Sequence, residues 1–582
     1  MQICRLPLVL ALLILFAPVS PAVGQTVQTG VITGVINSAD GLSLPGVTVT
    51  ATSPNLQGPR TAVTDGNGVY YLRGLAPGLY HVAFEIPSFQ ASSRENVEVN
   101  AGGVATVDLT MALAGVTETV TVDAEAPSAI ATPRTSQTYS KNEVDVLPVG
   151  RRPLDIAELT PGVTTTVFNA SQVTVSGSFG YDNVFMVNGV DINDNIQGTP
   201  NNLFIEDAVE ETTVLNHGIS AEYGRFSGGV INIITRSGGN TFSGSFREGL
   251  SNPVWIGQTP LEKTGNIKHV DVLSKTHEGT FGGPLVKDKL WFFAAGRYET
   301  ANIPNTFAQN GAGYTRTDTN RRGELKFTGT FAAAQTVQAS FIGNATEQRN
   351  ASAVNAAALL DASMLTTRQL PNRLMALNYH GSVTPLLYVD AQYSEKKQGF
   401  KNNGGTSSDV RNSPFRTLGA TVPGGLLYNA PYLDATDPES RNNRQFTGSL
   451  AYLLATDSFG SHELKGGGEY FVNEGIGGNS QSSTGVVFVT DYLMAGGAPV
   501  RDSTGKPIPV FTPGLTQIWT FIAKRGAVID IKTTSFYLQD RWVASRRLTL
   551  DLGTRIENVS SSATGTSAEV SSTSIVPRLA AA

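Results

Sequence analysis

The sequence predicts a mainly β protein in three parts: a small β-sandwich, an α+β middle section, and an incomplete antiparallel transmembrane β-barrel. Three observations predict it. Up to position 114, short β-branched runs recur about every ten residues between Gly and Pro turns. From residue 240 onward, apolar and polar side chains alternate with a period of two over long stretches. After residue 25 no apolar run reaches about 18 residues, so a membrane-resident chain of this kind crosses with strands rather than helices.

Composition agrees with many strands and turns. The 582 residues include 61 Gly, only 15% are charged, and 42 Lys and Arg against 48 Asp and Glu leave a net charge of −6. Low charge, abundant Gly and many β-branched residues favour strand and turn. The acidic balance and the lack of a long basic run exclude a nucleic-acid binder driven by bulk positive charge. No sustained heptad supports a coiled coil.

The N-terminus reads as a secretory signal peptide over residues 1–24. Arg5 supplies the basic start, Leu6 to Phe16 the apolar stretch, and Ala22-Val23-Gly24 the small residues before a cut at Gln25. Cys4, the single cysteine, precedes the apolar stretch, so the exported chain carries no thiol chemistry.

Residues 29–114 carry the sandwich pattern. The predicted strands are Gly30 to Ile36, Val47 to Ala51, Ala62 to Thr64, Val69 to Leu72, Tyr80 to Phe84, Val97 to Val99 and Ala105 to Met111. Asp40-Gly41, Pro45-Gly46, Asp65-Gly66-Asn67-Gly68 and Pro77-Gly78 punctuate them. The stretches Leu44 to Val49, Thr64 to Tyr70 and Leu75 to Tyr80 closely resemble the carboxypeptidase regulatory-like domain. Despite that family's name, the resemblance implies a non-catalytic sandwich, often found ahead of outer-membrane receptors. His277-Glu278 and His462-Glu463 begin like a zinc-peptidase motif, but Phe281 and Gly466 stand where a second His would be needed. No enzyme, cofactor or metal site is read from the sequence.

Residues 115–136 form a linker containing Glu118, Thr119, Val120, Thr121, Val122, Asp123 and Ala124. This alternating, β-prone segment can pair with the sheet edge of another protein by strand addition. It resembles the TonB box of outer-membrane transporters; a last sandwich strand or a plain linker is the competing reading.

Residues 137–237 decide the class. Arg151 to Val163 gives a short helical signal stopped by Pro161-Gly162. Val184 to Asp191 reads as a hairpin with Asn188-Gly189 at its turn. Tyr223-Gly224-Arg225 precedes Gly228-Gly229, which permits either close backbone approach or positive φ, and Val230 to Thr235 is a buried-strand run. This ordered set resembles the plug domain of TonB-dependent receptors. The resemblance makes Asn188, Gly189, Asp191, Tyr223, Gly224, Arg225, Gly228, Gly229 and Asn232 the plug signature. A plug sits inside a polar-walled barrel, so Glu210, Glu222, Arg225 and Arg236 are expected partners of that wall.

Residues 240–582 read as barrel. Leu325, Phe327, Gly329 and Phe331 alternate with Glu324, Lys326, Thr328 and Thr330, and the same pattern recurs at 387–394 and 548–557. Period two with one apolar and one charged face fits lipid outside and lumen inside. Short turns at 332–335, 383–385 and 544–546 alternate with long polar connectors, the outer-membrane arrangement. Trp291-Phe292-Phe293, Tyr298 and Trp542 suit an interfacial girdle, with core packing nearly as good a reading for any one ring. At about ten residues per strand the segment holds roughly 14 to 16 strands, against about 22 in the resembled transporters, so the sequence reads as a fragment lacking its last strands.

The resemblance implies a bacterial outer-membrane receptor that takes up a scarce ligand, such as a siderophore, cobalamin or an oligosaccharide. Its implied partners are TonB, outer-membrane lipid and that unknown small ligand, with no nucleic acid. The alternative is an outer-membrane structural or adhesion protein that uses the sandwich and loops for surface contact without transport.

Overall fold

The computed structural model describes residues 29–581 except 57, 115–119, 124–135, 166–171, 195–197, 267, 308–310, 333–334, 353–361, 385, 418–428, 457–458, 478–479, 497, 504, 522–523, 546–547 and 567–568. The predicted signal peptide and Glu118, Thr119 and Ala124 lie outside the described residues.

The first unit is a two-sheet sandwich. Strands β1 (Gly30–Ser38), β2 (Thr48–Thr52), β3 (Arg60–Val63), β4 (Val69–Leu75), β5 (Gly78–Glu85), β6 (Ser92–Val99), β7 (Val104–Thr106) and β8 (Leu109–Met111) follow the turn punctuation, except that β6 starts five residues before the predicted Val97 and the single strand predicted from Ala105 to Met111 is two, broken where Asp108 turns its carboxylate onto the Val35 N–H at 2.8 Å. One sheet runs β4-β1-β7, with β8 also on β1, and the other runs β3-β2-β5-β6. Ile32, Ile36, Val49, Leu72, Val82 and Phe84 fill the space between the sheets, each fully buried or nearly so. The β3–β4 turn is built by Asp65, whose carboxylate accepts the backbone N–H groups of Asn67 and Val69, both at 2.9 Å. Gly68 supplies the positive φ of 75° that this turn needs.

A ninth strand, β9 (Val120–Asp123), extends the second sheet by pairing parallel to β6, from Ser92↔Val120 to Glu95↔Asp123. The segment that resembles a TonB box therefore has a partner strand, and that partner is the sandwich.

The middle unit holds a five-stranded mixed sheet. Its strands are β10 (Ser136–Ser140), β11 (Val184–Val187), β12 (Val190–Asp191), β13 (Val209–Leu215) and β14 (Val230–Thr235), in the order β10-β13-β14-β11-β12. Helix α1 (Lys141–Val146) opens with a capping box between Ser140 and Glu143. Helix α2 (Pro153–Ala157) starts on Pro at its first turn and is followed by Gly162 at φ 84°. Phe185, Val187, Val214, Ile231 and Ile233 form this unit's core, and Ile342, Leu374 and Ala376 from the barrel wall pack into the same cluster.

The third unit is a twelve-stranded antiparallel sheet. It comprises β15 (Ser243–Ser251), β16 (Ser274–Val286), β17 (Leu290–Thr306), β18 (Gly313–Ala332), β19 (Gln335–Ala351), β20 (Thr366–Thr384), β21 (Leu387–Phe400), β22 (Glu439–Thr456), β23 (Gly460–Ile476), β24 (Val528–Ser545), β25 (Leu548–Ala563) and β26 (Val570–Ala581). Each strand pairs with its neighbour in sequence order, and among the described residues β15 and β26 are the two edges. The strand number falls below the expected 14 to 16 because individual strands are longer than the allotted ten; β18 alone has 20 residues. The polar connectors at 344–372 and 399–443 are partly strand, since β19 runs to Ala351 and β22 begins at Glu439.

Burial in this sheet is inverted relative to a soluble protein. On β18 Glu324, Lys326 and Thr328 are 4%, 1% and 3% exposed, whereas Leu325, Phe327 and Phe331 are 40%, 39% and 67% exposed. Asp390, Gln392, Ser394 and Lys396 on β21, and Arg555 on β25, repeat the pattern. Polar groups line an occupied lumen and apolar ones face outward, as a membrane barrel requires. The aromatic expectation needs correcting at two positions. Trp291 and Phe293 point inward: Trp291 Nε1 donates to Asn240 Oδ1 at 2.8 Å, and Phe293 packs on Ile205 and Ala208. Between them, Phe292 faces Phe281, with ring centroids 5.7 Å apart.

The sandwich sits at the end of the barrel that carries the short turns. Asn67 Nδ2 donates to the Thr456 carbonyl (3.1 Å), Ser461 Oγ to Asp65 (3.2 Å) and Arg60 Nη2 to Thr336 (3.2 Å). Arg73 pairs with Glu463 at 3.2 Å. Gly74, at φ 67°, lies so close to Tyr388 that a Cβ there would stand 2.6 Å from the ring hydroxyl.

Candidate functional site

The site is the contact between the middle unit and the barrel lumen, and the Asn-Gly turn anchors one part of it. Asn188 and Gly189 have φ of 50° and 74°, the paired positive values of a tight hairpin between β11 and β12. Asn188 is fully buried. Its Nδ2 donates to Thr235 Oγ1 at 2.9 Å and its Oδ1 accepts the Thr235 N–H at 3.0 Å, tying the turn to the end of β14. The barrel holds the same turn: Gln392 Nε2 donates to the Asn188 carbonyl (3.0 Å) and Lys326 Nζ to the Thr235 carbonyl (2.7 Å).

Arg225 organises the second part. Its backbone takes φ 60°, and its guanidinium binds Asp191 at 3.0 Å and Glu469 of β23. The same guanidinium lies 3.8 Å from the centroid of the Phe471 ring. Glu469 also binds Arg555 of β25 at 2.8 Å, and Arg555 binds Glu557 at 2.8 Å. Gly224 leaves room for that pair, since a Cβ there would stand 2.3 Å from Glu557 Oε1 and 2.5 Å from Arg555 Nε and would push the two side chains aside. Glu222 pairs with Lys465 of the wall. Buried ions of this kind are tolerable only when paired, and removing one partner strands the other.

Gly228 and Gly229 resolve to close approach rather than positive φ. A Cβ on Gly228 would meet Asn183 Oδ1 at 2.3 Å, and one on Gly229 would meet the Leu215 carbonyl at 2.7 Å. The Gly229 N–H donates to Asn183 Oδ1 at 2.9 Å. Tyr223 is buried with Val184, Met186 and Val230, and Asn232 is buried in the middle of β14. Two expected wall partners instead pair with each other: Glu210 and Arg236 stand 3.5 Å apart, and Glu210 accepts from Asn55 of the sandwich at 3.1 Å. They sit on the sandwich side of the middle unit, and Arg236 still meets the wall, its guanidinium 5.9 Å from the centroid of the Phe293 ring.

A second ionic cluster went unread in the sequence. Asp207 accepts Arg151 (2.5 Å) and Arg247 (2.9 Å), and Glu278 accepts Arg151 and Arg297, both at 2.8 Å. Arg297 also reaches Glu206 at 2.7 Å. The available signal was a charged residue at an inward-facing strand position, as Glu278, Arg297 and Glu469 all are. His277 and His462, first residues of the two peptidase-like pairs, lie on strands beside Glu248 (2.5 Å) and Asp540 (2.8 Å). Below the middle unit, Glu211 accepts the Ala101 N–H of the sandwich at 2.6 Å. Burial raises its pKa to about 8, against the opposing pull of that hydrogen bond.

A sheet-bearing unit is thus held by ion pairs against the polar inner face of a β-barrel sheet. The chain carries a carboxypeptidase regulatory-like domain, matched over residues 31–112, and an outer-membrane β-barrel domain, matched over residues 295–571. It is similar to the TonB-dependent transporter Oar of Myxococcus xanthus, with 32% identity over 271 residues. That match covers 43% of this chain and 24% of the relative. The fold is similar to that of the outer-membrane transporter YddB from Escherichia coli, with a TM-score of 0.53 and 14% identity over 77% of this chain and 58% of that one. It is also similar to the siderophore receptor PirA from Acinetobacter baumannii, with a TM-score of 0.52 and 19% identity over 76% of this chain and 58% of that one. The chain thus spans about a quarter of the curated relative and under two thirds of each of these structures. It is an outer-membrane protein.

Proposed function

We propose that the protein is an energy-coupled receptor that takes up a scarce ligand, such as a siderophore, cobalamin or an oligosaccharide. TonB supplies the energy by pulling on the segment at residues 118–124, and the plug over residues 137–237 rearranges to open a path. The observation that carries this reading is the ionic clamp of Arg225, Asp191, Glu469 and Arg555. Ion pairs and hydrogen bonds can be exchanged for water one at a time, so a unit held largely by them can be moved while giving up apolar packing only where Ile342, Leu374 and Ala376 of the wall join its core. The nine signature residues act, in this reading, to seat the plug: Asn188 and Gly189 form the turn that grips the wall, and Gly224, Gly228 and Gly229 allow close fit. Capture of ligand drives the change only if the ligand binds the rearranged state better.

Adhesion through the sandwich is the second reading. The sandwich meets the short-turn end of the barrel, and short turns are periplasmic in such barrels. That position supports transport over surface contact. The test is deletion of residues 118–124, followed by uptake of a panel of labelled ferric siderophores, cobalamin and oligosaccharides. Transport predicts that uptake of whichever member the intact protein imports is abolished while the protein stays in the outer membrane. Unchanged uptake overturns the coupling, and no uptake of any member by the intact protein favours adhesion.

A further inference from the structure

Sandwich, plug and barrel enclose a chamber of about 670 Å³ at the short-turn end, within the size range of small-molecule sites. Its floor is the sandwich turn and strands around Arg60 to Pro77, its roof the plug segment from Ile234 to Ser237, and its sides the inner faces of β18 to β22. Arg60, Arg73, Arg236 and Lys326 face it, against the carboxylates of Asp65 and Glu210. Arg236 and Arg73 are matched by Glu210 and Glu463, and Asp65 is taken up by its own turn and Ser461, so the charge left facing the chamber is that of Arg60 and of Lys326, which donates to the Thr235 carbonyl. Arg60 instead has only a hydroxyl partner, Thr336 at 3.2 Å, and among the described residues no carboxylate pairs with it. Gln338 Oε1 and Arg73 Nε, both shielded from bulk water, have no hydrogen-bond partner among the described residues. Buried polar atoms left in this condition beside a cavity of this size call for something polar inside it.

The chamber also lies across the route out of the barrel. A solute that passed the plug at Ile234 to Ser237 would arrive here and find the sandwich in its way. Among the described residues, polar contacts close that wall at Asn67 to Thr456, Ser461 to Asp65, Arg60 to Thr336, Arg73 to Glu463, Ala101 to Glu211 and Asn55 to Glu210. They are few and mostly hydrogen bonds, so the wall is removable.

We propose that this chamber is a transit site for an anionic solute that carries both hydrogen-bond acceptors and a donor, and that the sandwich is its removable wall. The inference rests on the transport reading, but its test needs no transported ligand. In a Cys4→Ser background, which leaves the chain without other thiols, Ser237→Cys places a reporter in the roof. Its modification is followed with a negatively charged sulfonatoethyl and a positively charged trimethylammonioethyl methanethiosulfonate. Each rate is divided by that of the same reagent with free cysteine. In the full chain in lipid vesicles, both reagents should react slowly. Adding Asn67→Ala and Ser461→Ala, which remove two wall contacts and none of the chamber's cations, should raise the sulfonate rate tenfold or more and leave it above the cationic one. Equal rates with and without those two substitutions overturn the removable wall, and a faster cationic reagent overturns the anionic preference. A separate variant, Asp65→Cys with Ser461→Cys, should lose both free thiols on mild oxidation; two persistent thiols overturn the docked position. Failure of ligand uptake with the labelling pattern intact would sink the transport reading alone.

Discussion

The sandwich and the barrel are both antiparallel-rich β structures written with the same alternating code, yet they bury opposite letters. In the sandwich Ile32, Leu72 and Phe84 turn inward and Arg and Glu turn out. In the barrel Glu324, Lys326, Glu469 and Arg555 turn inward while Leu325, Phe327 and Ile556 are exposed. The difference teaches that a strand's hydrophobic face reports where the hydrocarbon is, not where the middle of the domain is. For the sandwich the hydrocarbon is its own core; for the barrel it is lipid. The barrel can afford a polar interior because the plug returns hydrogen bonds and countercharges to it.

Two substitutions with the largest expected effects test the two interiors. Phe84→Ala should cost about 3–5 kcal/mol of sandwich stability by leaving a cavity in a fully buried site. The same truncation at Phe327, on the lipid side, should cost much less because lipid fills the gap. Urea unfolding read by protease sensitivity of each unit would show this; equal costs would break the comparison. Glu469→Ala should loosen the plug by about 3–5 kcal/mol, since it leaves Arg225 and Arg555 in the lumen without their shared carboxylate. The readout is the urea concentration at which the 137–237 segment becomes cleavable, and a cost under about 1 kcal/mol would mean the clamp is not what holds the plug. A smaller effect is expected at the outer face. Phe327→Arg should destabilise the barrel by about 2–4 kcal/mol if it lies near the membrane midplane, and less toward either interface. Barrel folding into lipid vesicles, followed by protease protection, measures it, and no change would remove Phe327 from the lipid boundary.

The sequence made some of this architecture legible and hid the rest for physical reasons. Turn chemistry located the sandwich strands within a few residues, because Asp65 and Gly68 leave the chain little choice at the β3–β4 turn. The Asn188-Gly189 turn was equally plain, since two successive positive φ values demand such residues. Gly224, Gly228 and Gly229 could be flagged, but not the atoms they make room for, which come from β24-adjacent β25 and from Asn183 far along the chain. Pairing across sequence gulfs was illegible. Nothing local says that Arg225 meets Glu469, or that Arg236 pairs with Glu210 while standing over Phe293 of the wall. Strand length was misjudged because period-two alternation fades where β18 and β19 leave the membrane level and both faces turn polar. The role of residues 118–124 could not be read either, since strand addition to a foreign sheet and to the sandwich's own β6 demand the same side chains.

The smallest expected effect is the most informative about how the two regions communicate, because it lies where they touch. Glu211 belongs to the plug and accepts an N–H from Ala101 of the sandwich, and its docked-state pKa is raised from 4.5 to about 8, chiefly by burial. Once the sandwich is released and water reaches the carboxyl, its pKa returns toward the ordinary value. A group that holds its proton more tightly when docked favours docking at low pH. That contribution is fully present below about 4.5 and is lost as pH rises through about 8, by at most a factor of ten in the docking equilibrium per pH unit. Glu211→Gln keeps an oxygen for the Ala101 N–H and removes the titration. It should change docking by no more than about 1 kcal/mol at pH 4, where the native carboxyl holds its proton whether docked or released, and strengthen it relative to the native chain at pH 9. Protease sensitivity of the segment joining sandwich to plug, measured at both values, reads this out. A native chain whose docking is flat from pH 5 to 9 would show that the carboxyl is not buried by the sandwich, and the contact between the two regions would then rest on Arg73 and Asn67 instead.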